Sequence, residues 1–207
     1  PGGAELLMPW GRCLPLLLLL CATTGCATTG SARSPSPIAR LVAAAQGFVD
    51  APSFRFSERG ERQDCSGFVQ GAFSTVGEQL IDAVARGESA TEQVFRTARS
   101  RGRVRGGRGL RAGDLLFFHN TYDRNGNGLR DDRFTHLALV ETSTGPRAVT
   151  LLHFASGRVR RDVMDLTRPS VAIDPQTGRT VNSFLRRGTG RRLTSQLFFK
   201  SARPLDR

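Results

Sequence analysis

The chain has 207 residues, of which 39% are hydrophobic and 23% charged, a balance that is typical of a globular protein and excludes a disordered chain. This length suffices for one ordinary domain or two small ones. The net charge of +12 favours polyanionic surroundings such as nucleic acid, anionic lipid or an anionic cell wall.

The amino end predicts a secretory signal. A short positive segment, MPWGR, precedes a run of about ten mostly apolar residues and then small residues, which is the layout of such a signal. The apolar run is too short to span a bilayer comfortably. We expect a signal peptide over residues 1–25, with Met8 as the true start and residues 1–7 upstream of it.

Two kinds of processing fit this leader. Cleavage by an ordinary signal peptidase is one. The other is lipoprotein processing, because TTGC resembles a lipobox with Cys26 as the lipidated residue. Residues 26–37 would then be the lipidated cysteine and a flexible tether rich in small residues and proline. The protein would be exported to the cell envelope and anchored to a membrane, with its folded domain over residues 38–207.

Helical patterns follow the tether. Apolar residues recur at helical spacing over residues 38–50, and residues 79–100 also fit a helix. Between them, Asp64 suits an N-cap, so a helix is expected to begin near Cys65. Its apolar face would consist of Phe68, Val69, Ala72, Phe73 and Val76. Gly67 would let this helix approach a neighbouring strand closely.

Residues 96–111 form a basic tract with seven arginines and four glycines. Such a tract could bind nucleic acid electrostatically. However, exported proteins rarely meet nucleic acid, and no aromatic side chains are interleaved here for base stacking. We therefore expect a solvated basic loop and no nucleic-acid partner.

Strand patterns fill the rest of the chain. Five short apolar or alternating runs are separated by glycine, proline and polar turns: GDLLFFHN, THLALVET, AVTLLHFAS, GRVRRDVMDL and LTSQLFFKSARPL. Helices followed by strands predict an α+β domain. Its N-terminal helices would pack on an antiparallel sheet of about five strands.

Cysteine usage singles out Cys65. Cys13 and Cys21 lie in the predicted leader and Cys26 at its cleavage site, so the mature domain has no pair for a disulfide framework. A lone cysteine can be a buried apolar filler, a metal ligand, an intermolecular bridge or a reactive thiol. A helix N-terminus favours the reactive thiol, because its N–H groups and dipole stabilise a thiolate.

Two of the three histidines are predicted to meet. His136 and His153 lie on runs joined by TSTGPRA, and a hairpin centred between Thr144 and Gly145 would place them directly opposite each other on one face. Cys65, His136 and His153 would then supply a nucleophile, its base and an orienting residue.

An alternative for the histidines is a metal site. His119, His136 and His153 are evenly spaced along the chain, and three histidines on adjacent strands could hold a catalytic zinc. That hypothesis leaves the cysteine motif unexplained.

Four ordered motifs resemble the NlpC-type cell-wall peptidases, a compact papain-like group. They are DCSGFV (64–69), RAGDLLFF (111–118), THLALVE (135–141) and LLHFAS (151–156). The resemblance implies that Cys65 is the nucleophile, His136 the base and His153 the polar orienting residue. We expect Asp64, Ser66 and His119 to support the substrate or the site.

The resemblance also implies an activity. The family cleaves peptide stems of peptidoglycan, commonly between D-γ-glutamate and a diamino acid, so we expect an exported hydrolase that needs no cofactor for catalysis and acts as a monomer. A catalytically inactive, wall-binding lipoprotein on the same fold is the alternative.

The chain departs from the family pattern in two places. Family members often carry a tyrosine in the loop before the cysteine, whereas Phe54 and Phe56 stand there and the single tyrosine is Tyr122. The Cys65–His136 separation is longer than usual, because of the Arg/Gly tract and the segment YDRNGNGLRDD. Such insertions typically reshape the rim of a cleft, and hence the choice of substrate.

The segment DRNGNGLRDD (123–132) resembles the first part of an EF-hand calcium loop, with glycine at its sixth position. The twelfth position, normally glutamate, is Phe134. The candidate calcium ligands are Asp123, Asn125, Asn127, Asp131 and Asp132. Neutral amides among them predict weak affinity. The same residues also suit a metal-free turn, so a structural calcium ion and a simple turn are both open.

Overall fold

The computed structural model describes residues 34–82, 86–186 and 190–205, together with Gly2. Apart from Gly2 and Ser34, these residues belong to one compact unit, Pro35–Arg207. The predicted leader, Cys26 and most of the predicted tether lie outside the described residues. Within the described ranges, no helix is long and apolar enough to cross a membrane.

Three helices precede the main strands: α1 (Pro37–Gln46), α2 (Cys65–Ser74) and α3 (Ala90–Ser100). Each begins after a residue whose side-chain oxygen accepts a hydrogen bond from a backbone N–H of the first turn, and these caps are Ser36, Asp64 and Ser89. Such caps satisfy N–H groups that have no partner within the helix. The cap predicted at Asp64 is therefore confirmed.

Two predicted helices are shorter than expected. The helix predicted over residues 38–50 ends at Gln46. The helix predicted over residues 79–100 begins only at Ala90, and the described part of residues 79–89 is not helical. Gly87 has a φ of 84°, a left-handed conformation that interrupts a helix, and Ser89 then caps the new start.

Eight strands and one short helix complete the described fold. They are β1 (Val104–Arg105), β2 (Leu115–Phe118), β3 (His136–Gly145), β4 (Ala148–Ala155), β5 (Arg158–Asp165), β6 (Phe184–Arg186), β7 (Arg192–Leu193), α4 (Thr194–Leu197) and β8 (Phe198–Ala202). Six strands form an antiparallel sheet in the order β1-β8-β2-β3-β4-β5, and β6 pairs with β7 separately.

The predicted α+β class with N-terminal helices and an antiparallel sheet is confirmed. All five predicted runs contribute a strand to the main sheet. The sixth strand, β1, comes from the Arg/Gly tract, where a solvated basic loop is expected. The last run begins with α4 rather than a strand, since Thr194–Leu197 forms one helical turn before β8.

The sheet is buried on both faces at β3. Leu137 and Leu139 pack into the core that includes α1, α2 and α3, whereas Ala138 and Val140 pack into a second core with residues of β5 and α4. Successive side chains of a strand point to opposite faces. Burial of both faces therefore explains why residues 137–140 of β3 are all apolar instead of alternating.

The register of the β3–β4 hairpin differs from the predicted one by two residues. Leu139 pairs with Leu152 and Val140 with Leu151, so the continued register places His136 opposite Ala155 rather than His153. Irregular pairing near Thr142 and Gly145 accounts for the shift. Because side chains alternate with a period of two, a two-residue slip keeps both histidines on the same face.

Candidate active site

Cys65 is the first residue of α2, and its neighbours hold the start of that helix. One oxygen of Asp64 accepts hydrogen bonds from the Gly67 N–H (2.8 Å) and the Ser66 hydroxyl (2.6 Å). Its other oxygen lies 3.0 Å from Arg62. The two predicted supporting residues Asp64 and Ser66 thus fix the turn that presents the thiol.

Gly67 is required by the close approach of the preceding loop. A Cβ atom at this position would lie 1.9 Å from the carbonyl oxygen of Arg62, far inside van der Waals contact. The close approach predicted at Gly67 is present, but the expected neighbour, a strand, is wrong. The neighbour is the loop before α2, which folds back on the first turn of the helix.

A cleft of about 650 Å³ opens at this helix start. Cys65 and His136 both line it, so the fold brings the predicted nucleophile and the predicted base to one cavity. The walls come from Arg62–Ser66, Glu88–Thr91, Thr121, Tyr122, Phe134–His136, Phe154–Ser156 and Leu185. Tyr122, which is exposed in the Asn/Gly-rich insertion, brings a phenol group to the wall of the cleft. Phe54 and Phe56, at the positions where family members often carry a tyrosine, pack in the core instead.

The thiol is held in its protonated form. Burial raises the pKa of Cys65 to about 11, and the charge of Asp64 adds to this, although hydrogen bonds from the Leu137 N–H, the Thr91 hydroxyl and the Ser66 N–H lower it. Stabilisation of a resting thiolate by the helix N-terminus was expected. Burial and the charge of Asp64 instead outweigh the hydrogen bonds that lower the pKa of the thiol.

The two histidines form a buried hydrogen-bonded pair. Nε2 of His136 lies 2.6 Å from Nδ1 of His153, which confirms the predicted contact despite the shifted register. The second nitrogen of His153, Nε2, lies 3.0 Å from a carboxylate oxygen of Asp162. His153 is fully buried and does not line the cleft.

Burial and charge set the protonation of this group. Burial lowers the pKa of His136 well below its usual value and repulsion from His153 adds to this, whereas the charge of Asp162 acts in the opposite direction. Burial acts to raise the pKa of Asp162, but its contacts with His153 and Arg160 outweigh burial, and the pKa lies below the usual value. Asp162 is therefore a carboxylate and His136 a neutral base at neutral pH.

The sequence prediction missed Asp162. It lies on β5, where His153 pairs with Arg160, so Asp162 is two residues further along on the same face. The sequence did hold a signal, the dipeptide Ser156–Gly157 between two strand patterns. In the structure these residues have φ of 52° and 74°, as a two-residue hairpin turn requires. A Ser–Gly turn between β4 and β5 would have given this register.

His119 lies apart from the other two histidines. Its Nδ1 accepts a hydrogen bond from the Phe134 N–H (2.9 Å), and its ring stacks on Phe199. It does not line the cleft itself, but it binds the backbone of Phe134, which does, so its role as a supporting residue stays a prediction. The described residues hold no group of three or more His, Cys, Asp or Glu side chains that could bind a metal, which contradicts the three-histidine zinc site.

The candidate calcium loop is closed by its own hydrogen bonds. Asp123 accepts from the backbone N–H groups of Gly126 (2.7 Å) and Gly128 (2.8 Å). The amides of Asn125 and Asn127 donate to Asp131 at 3.3 and 3.1 Å. Asp132 is buried, and its backbone carbonyl accepts from the Asn120 N–H. This is the turn geometry expected of Asn and Asp, and bound calcium stays a prediction.

Calcium at this loop is tested by thermal unfolding. If the oxygens of Asp123, Asn127 and Asp131 turn toward an ion, millimolar calcium raises the melting temperature by mass action. The Asp123→Ala variant should then melt at the same temperature with and without calcium, and magnesium serves as the ion control. Equal melting temperatures of the unmodified protein with and without calcium would identify a plain turn.

The comparison with family models agrees with this site. Residues 52–138 match the model of the NlpC/P60 family. This part of the chain belongs to the NlpC/P60 family. Its members are generally cysteine peptidases that act on the bacterial cell wall, and the mixed α+β structure is consistent with their papain-like fold. No curated protein and no solved structure matches the chain.

The matched region of this NlpC/P60 domain covers α2 with Cys65 and the start of β3 with His136. His153 and Asp162 lie beyond it. Their connection to the cleft therefore rests on the hydrogen bonds of the structure and not on the family match.

Proposed function

We propose that this protein is an exported cysteine peptidase that hydrolyses peptide bonds in peptidoglycan stems through an acyl-enzyme on Cys65. The observation that carries the proposal is that Cys65 and His136 line one cleft while His136 is hydrogen-bonded to a fully buried histidine. A thiol, a base and a group that orients the base are the parts that nucleophilic catalysis needs.

The proposed reaction begins from a neutral pair. His136 takes the proton of the Cys65 thiol as the sulfur attacks the carbonyl carbon of the scissile bond. The backbone N–H of Cys65 stabilises the developing oxyanion. The tetrahedral intermediate then collapses, the C–N bond breaks, and His136 gives its proton to the departing amine. Water, deprotonated by His136, attacks the thioester carbon and the C–S bond breaks. His136 returns the proton to the leaving sulfur, and the new carboxylic acid loses its own proton to solvent.

The charges of the cleft suit a zwitterionic stem peptide. Arg62 can pair with a substrate carboxylate, whereas the oxygen of Glu88 that does not bind Arg96 can pair with an amino group, and both residues line the cavity. A bond between D-γ-glutamate and a diamino acid is flanked by both kinds of group. We therefore propose this bond as the substrate.

We further propose that the protein is anchored to the membrane through a lipid on Cys26 and acts as a monomer. The support is the lipobox-like TTGC and the net charge of +12, which would hold the domain near anionic envelope polymers. The mass of the mature amino-terminal peptide tests the anchor.

An inactive wall-binding protein is the second candidate. The raised pKa of Cys65, about 11, favours it, because a protonated thiol is a weak nucleophile. Stem binding without cleavage would use the same cleft.

Digestion of purified muropeptides tests the peptidase. Mass analysis should show two products whose masses sum to that of the substrate plus one water, one ending in glutamate and the other beginning with the diamino acid. Muropeptides that bind but stay intact would favour the wall-binding candidate. Cleavage at a different bond would keep the chemistry and refute the substrate.

A further inference from the structure

We propose that Asp162 is a positioning residue that fixes the tautomers of His153 and His136, so that Nδ1 of His136 is the atom that takes the thiol proton. The inference rests on the proposed cysteine chemistry and extends it to a residue outside the cleft and outside the family match. Its basis is the direction in which hydrogen bonds can run along this chain of side chains.

The three residues lie on a diagonal across neighbouring strands. His136 begins β3, His153 lies on β4 and Asp162 on β5, and all three side chains are on the same face. The contacts are 2.6 Å between His136 Nε2 and His153 Nδ1, and 3.0 Å between His153 Nε2 and Asp162 Oδ2. Both distances fit direct hydrogen bonds.

The direction of these bonds follows from the carboxylate. An ionised Asp162 can only accept, so Nε2 of His153 must carry its hydrogen. In the neutral form of the His153 ring, Nδ1 is then an acceptor, and Nε2 of His136 must donate to it. Nδ1 of the neutral His136 ring is left with a lone pair and no hydrogen. This is the state that a general base needs.

Without the carboxylate the hydrogen bond between the two histidines can take the opposite direction. His153 would donate from Nδ1 to Nε2 of His136, with both rings still neutral and the contact intact. His136 would then carry its hydrogen on Nδ1 and could not accept a proton there. The contact between the two histidines is therefore compatible with both tautomers of His136. The carboxylate of Asp162, which can only accept, selects the one with hydrogen on Nε2.

Asp162 acts through the histidines, because it cannot reach a substrate in the cleft. His153 is fully buried between them. Asp162 lines a separate cavity of about 500 Å³ together with Arg160 and Arg191, and this cavity shares no lining residue with the cleft. Its role is therefore to position and to balance charge, not to touch the reacting atoms.

The charges around Asp162 support an anionic state. Arg160 lies 3.4 Å from its other oxygen, Oδ1, and Arg191 lines the same cavity. The neighbouring Arg161 points away and pairs with Glu141, and the negative Asp64 is at the start of α2. When His136 gains the thiol proton, its positive charge is stabilised through His153 by the carboxylate, which stays ionised.

The variant Asp162→Asn tests this role because Arg160 fixes the direction of the new amide. Its oxygen should face the Arg160 donor, which turns the NH₂ group toward His153 Nε2 and reverses both hydrogen bonds. We expect kcat/KM on muropeptides to fall about 10²-fold. We also expect the acid limb of the pH profile to move to lower pH, because the charge of Asp162 raises the pKa of His136.

Asp165→Asn is the matched control. Asp165 lies on the same strand, is also buried, and pairs with Arg168, but it contacts no histidine. Its loss removes a buried carboxylate of β5 without touching the histidine chain, so activity per folded molecule and the acid limb should stay unchanged. An equal fall in both variants, with no shift of the acid limb, would overturn the positioning role.

Two readouts need no substrate and separate this inference from the proposed function. Ring ¹⁵N resonances of the unmodified protein should show hydrogen on Nε2 of both His136 and His153, even if Asp162→Asn fails to fold. Hydrogen on Nδ1 of His136 would refute the inference. Alkylation of Cys65 by iodoacetamide near neutral pH, mapped by mass spectrometry, should slow in Asp162→Asn by a factor similar to that in kcat/KM.

These readouts have distinct meanings. If muropeptides stay intact while the tautomers and the alkylation rates follow the expectation, the proposed substrate is wrong and the positioning role of Asp162 is supported. If muropeptides are cleaved but Asp162→Asn alkylates at the rate of the unmodified protein, the proposed peptidase is supported and the positioning role of Asp162 is refuted.

Discussion

Replacement of Cys65 by serine is expected to lower kcat/KM on muropeptides by at least about 10⁴-fold while the fold stays intact. The thiol borders the cleft at the first turn of α2, and the smaller, much less acidic hydroxyl fits the same place without becoming a comparable nucleophile. Unchanged circular dichroism and melting temperature would show that the loss is chemical. Turnover equal to that of the unmodified protein would contradict the acyl-enzyme mechanism.

The histidines give a graded version of the same test. His136→Ala should be nearly as severe as the loss of Cys65, because it removes the group that moves the proton. His153→Ala should cost less, about 10²-fold, because that residue orients the base. His119→Asn is the control: an amide oxygen can replace Nδ1 as acceptor for the Phe134 N–H, and the residue lies outside the cleft. Its turnover per folded molecule should be unchanged.

Substitution of Gly67 by alanine is expected to destabilise the domain by about 3 kcal/mol, at the upper end of the usual cost of overpacking. The new Cβ atom would meet the carbonyl oxygen of Arg62 at 1.9 Å, and a backbone atom cannot turn away as a side chain can. Relief requires movement of the loop that carries Asp64, so the cap of α2 and the position of Cys65 change as well. Urea unfolding and muropeptide turnover should both report the loss.

Gly47→Ala is the matched control for this substitution. Gly47 also lies at the end of a helix with helical φ, but the nearest atom to an added Cβ is 3.6 Å away, an ordinary contact. Alanine should therefore be neutral or stabilise by up to about 1 kcal/mol through a less flexible unfolded chain. If both variants had the same unfolding free energy, the close approach at Gly67 would have no energetic weight.

Local features of this chain were readable from the sequence because they act over a few residues. Asp64 caps α2 since an aspartate before an apolar helical pattern satisfies the first N–H groups, and this fixed Cys65 at a helix start. The five strands were also predictable, because a short apolar or alternating run bounded by turn residues is a local pattern. Even the contact between His136 and His153 survived an incorrect register, because a slip of two residues preserves the face of a strand.

Tertiary structure decided what depends on distant partners. Burial raises the pKa of Cys65, and this effect could not be read from the sequence, because desolvation depends on what the folded chain packs around the sulfur. The separation of His119 from the other histidines follows from its stack on Phe199, a residue 80 positions away in the chain. The sequence by itself indicated the cysteine at a helix start, the two histidines that meet and the α+β class. The contact of His153 with Asp162 depends on the pairing of a third strand, for which the sequence offers only the turn at Ser156 and Gly157 as a signal.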